Sequence, residues 1–309
     1  MSNAGAQEIR FRCAIAAVGS EDNFQVYTQD TNGRIRETRF HDGQWSGGSQ
    51  HDVVAQAILG SPIAAVCRTS NTQVNLFFIG EDRVVREVYR DNHGRWHEGS
   101  LNRHQIRVAP YSMMAACCHR VKNTTHLRVY VQMQDNTIQE LGQDDEKHGW
   151  SKMTNLGRTL PGSGLACVSP KSSDSHESTM KIRVYHQNDD LSLREKLYDG
   201  RHWKDGEFSV SKAPPRTDLA ATVFHNDRIR VYFVHEDNQV MEMACDDDKW
   251  QRGGFRQQCV PGSQVAALAF SRREVQLRVF FQSGKHVTGV TEWKYEREWK
   301  QGKEALPPA

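Results

Sequence analysis

Residues 219–250 read LAATVFHNDRIRVYFVHEDNQVMEMACDDDKW, and this stretch decides the fold. It holds an Ala-rich apolar run (Leu219-Ala220-Ala221-Thr222), a β-branched/aromatic pair (Val231-Tyr232), a polar turn (His235-Glu236-Asp237-Asn238), a glutamate (Glu242) and a tryptophan (Trp250). Apolar and polar residues alternate with a period of two, as in half-buried strands.

The same order recurs five more times. The Ala-rich runs are Ile15-Ala16-Ala17-Val18, Ile63-Ala64-Ala65-Val66, Met114-Ala115-Ala116-Cys117, Leu165-Ala166-Cys167-Val168 and Val265-Ala266-Ala267-Leu268. The pairs are Val26-Tyr27, Leu76-Phe77, Val129-Tyr130, Val184-Tyr185 and Val279-Phe280. Glutamates follow at Glu37, Glu87, Glu140, Glu195 and Glu292, and tryptophans at Trp45, Trp96, Trp150, Trp203 and Trp299. Successive tryptophans are 51, 54, 53, 47 and 49 residues apart. Six units fill the chain, and repeats of this length mark stacked architectures.

A unit of three or four short antiparallel strands cannot bury both faces alone. Radial stacking into a closed ring solves this and leaves few exposed edges. The expectation is an all-β, six-bladed β-propeller forming a single domain over 1–309. Its approximate blades are 9–48, 60–99, 111–153, 162–207, 217–255 and 263–302. The Ala-rich strand suits the crowded innermost position.

One position before each aromatic pair stand Gln25, Asn75, Arg128, Arg183, Arg230 and Arg278. In the first five units this residue precedes the glutamate by 12; in the sixth the count is 14. Both counts are even, so the two side chains leave the same face of a hairpin. A cross-strand ion pair is the plain reading and contributes little at a surface. Its repetition in fixed order with an indole points beyond packing.

Ile182-Arg183-Val184-Tyr185, a glutamate on the next strand and a turn leading to tryptophan resemble the fungal fucose-specific lectins of the orange-peel-mushroom and Aspergillus type. Val108-Ala109-Pro110-Tyr111-Ser112 and Ala213-Pro214-Pro215-Arg216-Thr217 resemble the Aspergillus members. The likeness runs from Gly5-Ala6-Gln7-Glu8 to the terminal Pro307-Pro308-Ala309. It implies a six-bladed propeller binding L-fucose, or fucosylated glycans and glycoproteins, in pockets between blades. One blade supplies arginine and glutamate; the next supplies an aromatic three residues after its glutamate, plus the tryptophan. Guanidinium donates in a fixed fork, carboxylate and indole take and give further hydrogen bonds, and an apolar wall receives the sugar methyl.

The resemblance thus assigns Arg128 and Glu140 with Tyr198 and Trp203 to pocket three. Arg230 and Glu242 with Tyr295 and Trp299 form pocket five. Pocket four joins Arg183 and Glu195 to Trp250, with Cys245 where an aromatic wall is expected. Pocket six joins Arg278 and Glu292 to Phe40 and Trp45. Pocket one (Gln25, Glu37, Arg90, Trp96) and pocket two (Asn75, Glu87, Gln143, Trp150) lack the arginine and are expected to be weak or lost. A homodimer is also implied.

Other classes are disfavoured. Asp42-Gly43-Gln44-Trp45 is similar to part of the Asp-box turn of six-bladed sialidases, but the polar set recurs blade after blade, whereas catalysis needs one asymmetric cluster. The expectation is a non-catalytic protein without cofactor; the alternative is a protein-interaction propeller with lost or altered sugar binding. Lys and Arg (40) nearly balance Asp and Glu (38), with no basic stripe for nucleic acid. No CxxC or HExxH supports a metal. Seven cysteines at irregular spacing, several in the Ala-rich runs, read as buried free thiols. No apolar run reaches membrane-spanning length. The first thirty residues lack a signal-peptide pattern, so a cytoplasmic location or release by a non-classical route is expected, with the sequon at Asn123 silent.

Overall fold

The computed structural model describes residues 8–69, 73–121, 124–144, 149–170, 179–271, 274–284 and 287–308; Asn123 lies outside them. Six antiparallel sheets follow one another along the chain, each built from consecutive strands. The fifth shows the plan, with strands Leu219–Phe224, Arg228–Val234, Gln239–Asp246 and Lys249–Gln258 ordered as in sequence. Five blades are four-stranded, the upper end of the expected three to four, and the first carries a fifth short strand. In the first, the outer position is shared by Gln44–Gly47 and Val53–Gln56, both paired with Arg34–His41.

The Ala-rich strands stand innermost, as expected. Each neighbours the corresponding strand of the next blade, and Val265–Phe270 of the sixth neighbours Ile15–Ser20 of the first, closing the ring. Alanine fits there because strands converge toward the axis, and Ala16, Ala64, Ala115, Ala166, Ala220 and Ala266 are all buried. The core is six separate clusters, each spanning two adjacent blades. A blade's faces are thus buried only by its neighbours, which makes closure a condition of stability.

Polar staples tie blade to blade. Gln132, at the end of a second strand, accepts from Gly162 N at 2.7 Å and donates to Leu160 O at 2.9 Å in the following linker. Gln29 does the same with Gly60 N and Ile58 O. Gln282 closes the ring, accepting from Cys13 N at 3.2 Å and donating to Arg10 O at 3.1 Å. None of the seven cysteines forms a disulfide; Cys13, Cys117, Cys167, Cys245 and Cys259 are buried and Cys67 and Cys118 are half-buried. Burial raises the Cys13 and Cys118 thiols to about 12, so they act as small apolar groups.

Candidate functional site

The second and third strands put arginine and glutamate on one face in the last four blades, and Gln25 or Asn75 with glutamate in the first two, with a refinement the residue counts did not give. Directly opposite each glutamate stands the aromatic of the preceding pair: Tyr27–Glu37, Phe77–Glu87, Tyr130–Glu140, Tyr185–Glu195, Tyr232–Glu242 and Phe280–Glu292. The arginine is the diagonal neighbour, two residues back. Tyr130 donates its hydroxyl to Glu140 at 2.9 Å, as Tyr27 does to Glu37. The Val-Tyr pair therefore does more than pack. In the sixth blade the two extra residues fall in the turn, and Glu292 keeps the register.

Four arginine–glutamate pairs form. The nitrogen–oxygen distances are 3.5 Å for Arg128–Glu140, 3.2 Å for Arg183–Glu195, 4.0 Å for Arg230–Glu242 and 3.2 Å for Arg278–Glu292. All four glutamates are buried. Burial pushes the Glu140, Glu242 and Glu292 carboxyls above the usual range, and the neighbouring arginine pulls each back.

The fourth strand seats the glutamate through a feature the sequence reading missed, Trp-x-x-Gly. A Cβ on Gly206 would come within 1.9 Å of Glu195, and one on Gly253 within 1.9 Å of Glu242; Gly99 and Gly302 crowd Glu87 and Glu292 in the same way. In the third blade Met153 takes this position, and the compensating glycine is Gly142 on the neighbouring strand, whose Cβ would meet the Met153 sulfur.

Each pocket is completed by the next blade. Trp203 lies edge-on to Tyr130 with centroids 6.2 Å apart, and Trp250 to Tyr185 at 6.0 Å. Trp45 of the first blade reaches Phe280 of the sixth at 6.3 Å. Trp299 packs on Phe255 at 4.4 Å, which is edge-on to Tyr232 at 5.8 Å. The second aromatic stands beside its tryptophan where expected, with Tyr198–Trp203 and Tyr295–Trp299 both at 5.4 Å and Phe40–Trp45 at 5.1 Å. These contacts bring together the residues assigned to pockets three, five and six. Pocket four has Cys245 buried at the aromatic position, yet a cleft of about 420 Å3 opens there, lined by Arg183, Leu197, Lys204 and Trp250. The Trp250 indole nitrogen has no hydrogen-bond partner among the described residues.

Pockets one and two are rewired rather than merely depleted. Gln25 leaves Glu37 without its arginine, and Arg90, from the next blade's aromatic position, reaches it at 2.6 Å. Arg39 and Tyr27 also donate to Glu37, while Arg90 lies 5.7 Å over the Trp96 ring. The protein's own side chains thus fill pocket one. In pocket two Glu87 accepts from Asn75 at 2.6 Å, Leu101 N at 3.0 Å and Trp150 Nε1 at 3.1 Å. Arg68, from the innermost strand, supplies the guanidinium, donating to Asn75 at 2.7 Å and Gln143 at 3.0 Å beside a cleft of about 670 Å3. The sequence placed Arg90 in pocket one only as a missing aromatic, and Arg68, which comes from another strand, was not foreseen.

Comparison with known proteins agrees with this geometry. Residues 9–309 match the family model described as fungal fucose-specific lectin. A fucose-specific lectin of Aspergillus oryzae is 36% identical, with 100% of both chains covered. The solved structure of SapL1 lectin in complex with alpha methyl fucoside superposes with a TM-score of 0.89 at 33% identity, covering 99% of this chain and 100% of that one. The Aleuria aurantia lectin, described as a six-bladed β-propeller, gives 0.85 at 26% identity, covering 97% of each. The chain belongs to the fungal fucose-specific lectin family.

Proposed function

We propose that this protein is a multivalent, non-catalytic lectin that binds L-fucose and fucosylated glycans through pockets three to six. The observation that carries the reading is the repeated set of buried arginine–glutamate pairs, each faced by a tryptophan of the following blade. A planar guanidinium and a carboxylate meet the hydroxyl and ring oxygens of a sugar, and the aromatic wall accepts its apolar edge. Several weak sites on one ring give avidity on a glycan-coated surface without any single tight site. The relatives are lectins by name, which supports binding rather than turnover.

Retention on fucose-agarose with elution by free fucose is the expected result. Titration of α-methyl fucoside should lose one site each in Arg128→Ala and Arg230→Ala and none in Asn75→Ala. Flow-through of the intact chain would favour a protein-interaction propeller instead.

A further inference from the structure

In pockets three, five and six the arginine carries a second acid, four residues past the pocket glutamate. Asp144 meets Arg128 Nη2 at 2.6 Å, and Glu296 meets Arg278 Nη2 at 2.8 Å. Asp246 grips Nη1 and Nη2 of Arg230, each at 3.1 Å. On its inner side each guanidinium is already fixed. Nη1 donates to the carbonyl of the preceding residue, Leu127 at 2.9 Å, Ile229 at 2.9 Å and Leu277 at 3.2 Å. The pocket glutamate stands beside Nε as an ionic neighbour, at 3.5, 4.0 and 3.2 Å, without hydrogen-bonding it. The three arginine side chains are only 5%, 14% and 5% exposed, whereas Asp144, Asp246 and Glu296 are 50%, 28% and 50% exposed. The second acid is therefore the solvent-side cover over a buried cation. It occupies N–H groups that a ligand arriving from solvent must reach.

Pocket four departs from this pattern. Asp199 has the same spacing but accepts from the backbone N–H groups of Arg201 and His202, both at 2.9 Å, and stands 3.5 Å from Lys204. Arg183 instead meets Asp248 of the next blade, a side chain 85% exposed, and is itself 17% exposed beside the open cleft.

We infer that Asp144, Asp246 and Glu296 are latches that compete with sugar oxygens for the outer edge of the pocket arginine, so that pocket four, where the corresponding acid is diverted, fills first. This rests on the proposed sugar-binding role of the arginines. The carbonyl bond at Nη1 and the charge of the pocket glutamate remain on the inner side without the latch, so the acid is not the fork's only support. A guanidinium N–H cannot donate fully to a carboxylate and to a hydroxyl at once.

The test is calorimetric titration of the full chain with α-methyl fucoside. The wild-type chain should show one tighter site, lost in Arg183→Ala. Asp144→Asn, Asp246→Asn and Glu296→Gln should each tighten one further site about three- to fivefold, the scale of an exposed ion pair. Asp246→Ala should do the same without the shape of the amide. Asp246→Asn should also partly restore binding to Arg183→Ala, at an unchanged melting temperature, which a merely structural acid would not do. Wild-type binding with equal or weaker binding in the latch variants overturns the latch alone. No fucoside binding by wild type or any variant overturns the sugar reading and the latch with it.

Discussion

Trp150 of the third blade donates its indole N–H to Glu87 of the second at 3.1 Å, inside a pocket whose glutamate also accepts from Asn75 and Leu101 N. The matching nitrogen of Trp250, whose ring packs on Tyr185, is buried without a partner among the described residues. One indole is tied to a neighbouring blade by its N–H; the other is held there by ring packing alone. Leaving a buried group short of a partner costs about 1–3 kcal/mol. Trp150→Phe should therefore lower unfolding free energy by about that amount and leave fucoside affinity unchanged. Trp250→Phe should weaken one site about fivefold or more at little cost in stability. Denaturant melts and titration calorimetry on the two variants separate the cases; the reverse pattern would refute the assignment.

Adjacent glycines give a sharper contrast. A Cβ on Gly253 collides with the Glu242 carboxylate, while one on Gly254 meets nothing within 4 Å. Because the struck atoms are the end of a side chain, Gly253→Ala should push the carboxylate aside and disable pocket five while the ring stays folded. Gly254→Ala should bind and melt like the wild type. Equal fucoside stoichiometry in the two would show that the seat does not matter.

Acidity should move binding and stability in opposite directions. Burial raises the Glu140, Glu242 and Glu292 carboxyls above 4.5, so the folded chain takes up protons at a pH where the unfolded chain does not. Their contribution to folding is fully present below 4.5 and is lost as pH rises through the raised values. Sugar hydroxyls need the ionised acceptor, so affinity should fall as pH drops through that window. A fucoside titration series run from pH 8 down to pH 4 tests the sign; affinity that rises toward pH 4 would contradict it.

Asp218 provides a stability test away from the pockets. It lies at the axial mouth, accepts from Val265 N at 2.7 Å, and is raised by burial to about 7. Its contribution is present below about 4 and lost as pH rises through about 7. Asp218→Asn keeps an acceptor and removes the charge, so at pH 8 the variant should be more stable. Three pKa units would be worth about 4 kcal/mol, and partial opening to the mouth discounts this to about 2 kcal/mol. The difference should vanish near pH 4 in paired urea melts.

The ring was legible because each unit repeats a packing demand in one order: small residues near the axis, a pair on the second strand, indole at the rim. The pocket partners were legible where arginine and glutamate kept an even spacing, and even Glu292 held its register. Three things were not. The glycine three residues past four of the tryptophans (Gly99, Gly206, Gly253, Gly302) was visible as letters, but its meaning depends on where a carboxylate folds back across the sheet. Asp144, Asp246 and Glu296 read as ordinary turn acids beside Asp199, which is one. Arg90 stands at a position whose spacing did bring it to pocket one, but its ion pair with Glu37 was not read, and Arg68 reaches its pocket from another strand that no spacing within the unit marks.

Pocket six takes Arg278 and Glu292 from the last blade and Trp45 from the first, across the seam that Gln282 fastens to Arg10 and Cys13. No blade borrows a strand from the other end of the chain, so this seam is a clasp of side chains rather than a shared sheet. Any excursion that parts it dismantles one pocket and spares the others. Occupancy of pocket six by a sugar would therefore fasten the beginning of the chain to its end, making the ligand a part of the ring's own buckle.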